Sequence, residues 1–139
     1  MADMIVSGAG TTVVNGTYAE YGTRAGKTRY RFATSNSASG YFYLVWMTYG
    51  TPRWWLSVQG EDAVADFLVM SAGRYYSDDD VATPDLITTW SLGQGIEPVP
   101  TVTAASSSQN LTLTCAAGSY SLTGTNVTLT ATVKQNLTL

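Results

Sequence analysis

The chain reads as mainly β: a compact antiparallel β domain with an aromatic core, followed by a C-terminal Thr-rich β segment. Three observations predict this. Residues 40–58, GYFYLVWMTYGTPRWWLSV, hold three of the chain's four tryptophans in two apolar runs separated by a Gly-Thr-Pro turn signal. Residues 27–32, KTRYRF, alternate strictly, with Lys27, Arg29 and Arg31 on one parity and Thr28, Tyr30 and Phe32 on the other, the period of a strand. Beyond residue 101, units such as Asn110-Leu111-Thr112-Leu113-Thr114 place aliphatic residues on one parity and threonine on the other.

From the N-terminus, Met4-Ile5-Val6 is a short apolar run ended by Ser7-Gly8-Ala9-Gly10, and residues 11–14 resume as a β-branched run. Asn15-Gly16 is a type I′ turn signal that could equally open a bulge. Residues 17–21 follow as a strand, residues 22–26 as a turn, and residues 27–32 as a half-exposed strand with a basic outer face. A polar loop, 33–40, leads into the aromatic hairpin. Its first strand, 41–48, is apolar on both parities and predicts cover on both faces. The second, 53–58, carries Trp54, Leu56 and Val58 on one parity and Trp55 and Ser57 on the other.

Residues 63–70 alternate as Ala63, Ala65, Phe67 and Val69, while Val64, Phe67 and Leu68 would share a helical face after Asp62. Strand neighbours on both sides and the short length favour a strand. Asp78, Asp79 and Asp80 form the one acidic cluster. They lack the alternate spacing and terminal glutamate of a calcium loop, so a solvated turn is expected, with Asp80 or Thr83 capping a bend at Pro84. Residues 86–90 read as a further strand whose Trp90 should join the central cluster. Residues 93–100, GQGIEPVP, mark a composition break, either a linker or an edge crossing. These breaks set the domain boundaries at 1–97 for the aromatic domain, 98–107 for a Pro/Ser-rich linker and 108–139 for the β segment.

Composition narrows the chemistry. A chain of 139 residues can bury a real core as one domain with an appendage. Charged residues are 12 % of the chain, the net charge is −3, and after Glu97 the one charged residue is Lys134. About a quarter charged is usual, so low charge fits a surface covered by partners. No run reaches membrane-span length, and no membrane association is expected. Met1-Ala2-Asp3-Met4 does not resemble a signal peptide, which predicts synthesis in the cytoplasm. With no histidine, His-dependent nucleophilic systems and His-ligated zinc are excluded. The single cysteine, Cys115, sits in a strand-like run as a small hydrophobe and allows no intrachain disulfide. Neither a metal nor a cofactor is expected, and the adjacent acids Glu61-Asp62 and Asp78 to Asp80 do not argue for catalysis. The basic strand interleaved with tyrosines could serve single strands of nucleic acid, but against the net negative charge a solvated, edge-protecting face is favoured. The sequons at Asn15, Asn110, Asn126 and Asn136 follow from Thr-rich strands rather than glycosylation.

The succession VSGAG, VNGTYAEYGTRAGKTRYRF, YFYLVW, PRWWLSV, RYYSDDDVATPD and TTW is similar to a small β module of bacteriophage virion proteins and some large multi-module proteins, over about residues 5 to 103. The tail stretch AAGSYSLTGTNVTLTA resembles segments near the ends of phage tail and other structural proteins, over roughly 108 to 133. The resemblance offers no catalytic residues and does not point to an enzyme. It implies a virion structural protein, either a capsid decoration or cement protein or a head-tail or tail component, with other virion proteins as partners and a homo-oligomeric state. On that reading Leu111, Leu113, Leu122, Val127, Leu129 and Val133 carry assembly. The alternative is a carbohydrate-binding or host-receptor-binding module of a phage tail or fibre, in which Tyr41, Tyr49, Trp54 and Trp55 stack on sugar rings. Exposure of those rings separates the two readings.

Overall fold

The computed structural model describes residues 2–60 and 66–106, with side chains described from 68 onward in the second stretch. The chain divides into two units, Met1–Ser108 and Gln109–Leu139. The first unit is mainly β. Among the described residues eight strands form one antiparallel sheet: β1 (Met4–Ser7), β2 (Gly16–Arg24), β3 (Lys27–Ala33), β4 (Tyr41–Met47), β5 (Arg53–Ser57), β6 (Gly73–Ser77), β7 (Ser91–Leu92) and β8 (Thr101–Ala104). The order across the sheet is β7-β6-β5-β4-β3-β2-β1-β8, so consecutive strands are neighbours until the last, which returns to pair with the first.

That return forces the sheet to curl. Eight flat strands would place β7 and β8 about 34 Å apart at ~4.8 Å per gap. Residues 93–100, which join Leu92 to Thr101, let those ends lie at most about 32 Å apart when fully extended. The sheet therefore bends into a half-barrel, and 93–100 is the edge crossing that bridges its two ends. The inner face gathers Met4, Val6, Tyr18, Tyr30, Phe42, Leu44, Trp46, Trp54, Leu56, Tyr75 and Val102, with Trp90 laid across them. A single cluster fed by strands β1 to β6 and by β8 is possible only on a concave face.

The β4–β5 hairpin sits at the centre as expected, pairing Trp46 with Trp54 and Val45 with Trp55. Its two parities feed different faces, since Tyr43, Val45, Met47 and Trp55 form an outer cluster with Val69. Burial on both sides explains why 41–47 is apolar throughout.

Several local expectations change. The β-branched run 11–14 holds a 3₁₀ turn, Thr12–Val14, after which Asn15 ties back the preceding loop, with Ala9 N donating to its Oδ1 (3.1 Å) and its Nδ2 donating to Ala9 O (3.2 Å). The type I′ turn falls at Ala25-Gly26, where φ is +50° and +79° and Arg24 pairs with Lys27. Strand β2 reaches that turn by running through a bulge between Glu20 and Thr23, where Gly22 takes φ +69°.

Within 63–70 the structure has a helix, α1 (Asp66–Ser71), where a strand was expected. A strand there would need a free edge, but β6 already occupies the edge of β5, through Ser57 paired with Gly73. The helix instead lays Val69 onto the outer cluster and accepts the Ser57 hydroxyl at Val69 O (2.8 Å). Residues 86–90 are likewise not a strand: Pro84–Leu86 is a 3₁₀ turn without a side-chain cap from Thr83. Trp90 nonetheless joins the inner cluster as expected. Finally, Thr101–Ala104, placed by the sequence in a linker, is a strand paired with β1 at all four positions, with Val102 opposite Val6 in the core. The first domain therefore runs through Ala104, beyond the expected boundary at 97.

Candidate interaction surface

The four rings proposed to stack on sugars come from the hairpin, and the pleat decides their fate. Trp54 points into the concave core with 0 % exposure and packs edge-on against Trp46, ring centroids 5.9 Å apart. Its indole Nε1 donates to Val81 O at 3.2 Å. Trp55 faces the opposite way, yet it is 6 % exposed, with Tyr76 at 5.2 Å between centroids and Gly73 against its ring. Neither tryptophan offers a face to a sugar. Tyr41 is half-buried, and Tyr49, at 61 % exposure, stands alone in the 48–52 turn. The four do not form a platform.

The basic strand is also not the solvated face its alternation predicts. Arg29 is buried, donating Nε to Tyr21 O (2.7 Å) and Nη1 to Gly60 O (3.1 Å). Lys27 starts on the outer parity but curls round the sheet end. Its Nζ lies 3.6 Å from the centre of the Trp46 ring and donates to Val81 O (2.7 Å) and to Asp80. Arg53 lies over Tyr76 at 4.5 Å and pairs with Asp78 at 2.9 Å. Three cations therefore fasten the domain, through cation–π contacts of the kind worth about 0.5–2 kcal/mol each.

The same contacts account for the acidic cluster. The loop is solvated as expected, with Asp78 and Asp80 exposed, and within it Asp78 holds Arg53, Asp80 holds Lys27, and Asp79 accepts from Thr88 N (2.8 Å) and Thr88 Oγ1 (2.9 Å). The two bonds from Thr88 hold the Asp79 carboxyl below its ordinary range. Each carboxylate turns to a different partner, which fastens the loop as a lid over Trp46 and Trp54.

Arg31 behaves differently from the other outer-face cations. Its guanidinium carbon lies 3.7 Å from the centre of the Tyr21 ring and 4.5 Å from that of Tyr41. The β2 bulge supplies Tyr21 and the start of β4 supplies Tyr41, each half-buried. Sequence reasoning placed Arg31 on the outer face but missed this clamp. The pairing of Ala33 with Tyr41 and Arg31 with Tyr43 is the signal that would have found it.

The remaining surface of interest is the sheet edge at β8. Thr101 and Thr103 point outward and exposed, with no charge in the strand. Beside it a shallow cleft of about 280 Å³ separates residues 99–102 from the segment Ile87, Thr88, Thr89 and Trp90. The six aliphatic residues assigned to assembly, from Leu111 to Val133, lie outside the described residues. Comparison of the chain with protein-family models, with curated proteins and with solved structures finds no match.

Proposed function

We propose that this chain is a structural protein that works by assembly, a component of a bacteriophage virion such as a capsid decoration or cement protein or a head-tail or tail component. The observation that carries the reading is the β8 edge. Among the described residues Thr101-Val102-Thr103-Ala104 ends the sheet, with Val102 buried between exposed neighbours and no lysine, proline or inward charge, three of the devices that isolated sheets use against edge pairing. An uncharged edge bordered by a cleft suits strand addition from a neighbouring chain. Support comes also from the low charge of the chain, from the resemblance of its segments to virion modules, and from exposed aliphatics at Leu86 and Ile96. The sugar-binding alternative loses its two strongest rings to the core.

The test changes the edge without touching the core. Thr103→Lys places a charge on the exposed parity of β8. Sedimentation of the full chain should show oligomers for the parent and their loss in the variant, with the melting temperature unchanged. A parent that sediments as a monomer at tens of micromolar, and does not bind purified particles, would refute the proposal. A companion truncation after Ser108 keeps β8 in the sheet and should stay folded while losing assembly.

A further inference from the structure

The guanidinium carbon of Arg31 lies 3.7 Å from the centre of the Tyr21 ring and 4.5 Å from that of Tyr41, so two rings limit where the group can move. Among the described residues no carboxylate or carbonyl takes up its N–H groups, whereas Lys27, Arg29 and Arg53 each have a named oxygen partner. Arg29 adds a second positive charge 4.5 Å from the same Tyr21 ring. Contact with two rings restricts Arg31 in advance, so less freedom remains to be lost when a ligand binds. Arg31, Tyr21 and Tyr41 are all half-buried, a setting of partial desolvation in which a charge-assisted pair is stronger than in open water.

We propose that Tyr21, Arg31 and Tyr41 form a carboxylate-binding site, filled in the assembled particle by an acidic side chain of a partner protein. The planar fork of the guanidinium matches the two oxygens of a carboxylate. A polyanion such as nucleic acid fits less well, because the chain carries a net charge of −3 and the neighbouring Arg29 donors already point at Tyr21 O and Gly60 O. Arginine and tyrosine are also the residues that dominate protein–protein hot spots. The source of the carboxylate rests on the assembly reading, but the site itself does not.

Two measurements on the full chain keep these apart. In the first, the arginine Nε–H resonances are followed by NMR while N-acetylglutamate N-methylamide is added, with the glutamine analogue and inorganic phosphate as controls. The Arg31 resonance should shift saturably with the glutamate probe and not with the glutamine one, while that of Arg53, paired with Asp78, stays still. Arg31→Lys keeps the charge but loses the fork, and should weaken binding about tenfold. No saturable shift, or saturation by phosphate in preference to carboxylate, overturns the site whether or not the chain assembles. In the second, Arg31→Lys is compared with the parent by sedimentation and by binding to particles. Retained assembly in a variant that has lost the probe overturns the partner's acid as occupant. A parent that never assembles refutes the proposed function and the occupant together, while the first measurement still decides the site.

Discussion

Tyr75 tests the claim that the crossing 93–100 closes the half-barrel. The side chain is fully buried, and its hydroxyl accepts from Thr11 N at 2.9 Å while donating to Ile96 O at 2.6 Å. Ile96 N in turn donates to Thr11 Oγ1 at 2.9 Å, and Gly10 N to Pro98 O at 2.7 Å. One hydroxyl thus ties the loop after β1 to the crossing from beneath. Tyr75→Phe keeps the ring and removes both bonds. At about 0.5–1.5 kcal/mol net per bond the loss is ~1–3 kcal/mol. Ile96 is 66 % exposed and Thr11 half-buried, so water can reach the freed groups and the lower part of that range applies, about 1–2 kcal/mol. For a domain of this size that is a drop of about 5–15 °C in melting temperature. Urea unfolding should show a lower midpoint with an unchanged slope, and the Thr11 amide should lose exchange protection. Thr11→Val removes the reciprocal bond, and the double variant should destabilise by less than the sum of the singles, because both act on one clasp. A melting temperature within about 2 °C of the parent, or strict additivity, would refute the clasp.

The packing sets three further outcomes. Trp46→Ala should cost roughly 3–5 kcal/mol and release Lys27, whose ammonium sits on that ring; a variant that unfolds at the parent's urea midpoint would contradict it. Gly10→Ala puts a methyl group against the backbone of Glu97 and Ile96, so the crossing must shift, and circular dichroism should show a large loss of stability in a chain changed by one methyl. The Asp79 carboxyl is depressed by its bonds from Thr88, so its stabilisation is complete above the ordinary value of 3.8 and is lost as pH falls through the depressed one. Thr88→Val should therefore raise the carboxyl's titration midpoint, measured by NMR. An unchanged midpoint would mean that the Thr88 hydroxyl contributes nothing.

What the sequence determined by itself is what alternation and turn chemistry control at short range. The aromatic hairpin with cover on both faces, the alternation of 27–32, the mainly β class and the inward placing of Trp90 were all legible, because the pleat sends successive side chains to opposite faces whatever the sheet order. Which edge each strand meets is a long-range matter. Residues 63–70 carry a strand-like alternation, but β6 takes the edge they would need, and Asp66–Ser71 is a helix. Thr101–Ala104 reads as linker because its partner, β1, is nearly a hundred residues away. Charge is illegible for the same reason: Lys27 and Arg29 have the parity of a solvated face, yet Trp46 and Gly60 reach them from β4 and from just beyond the end of β5, and the β5–β6 pairing sets Tyr76 beside Arg53. A long flexible cation goes where a ring or carbonyl will hold it, and only the closed tertiary structure decides which ones are near. Arg31, clamped between rings from two different strands, is the position where that decision left a charge facing outward.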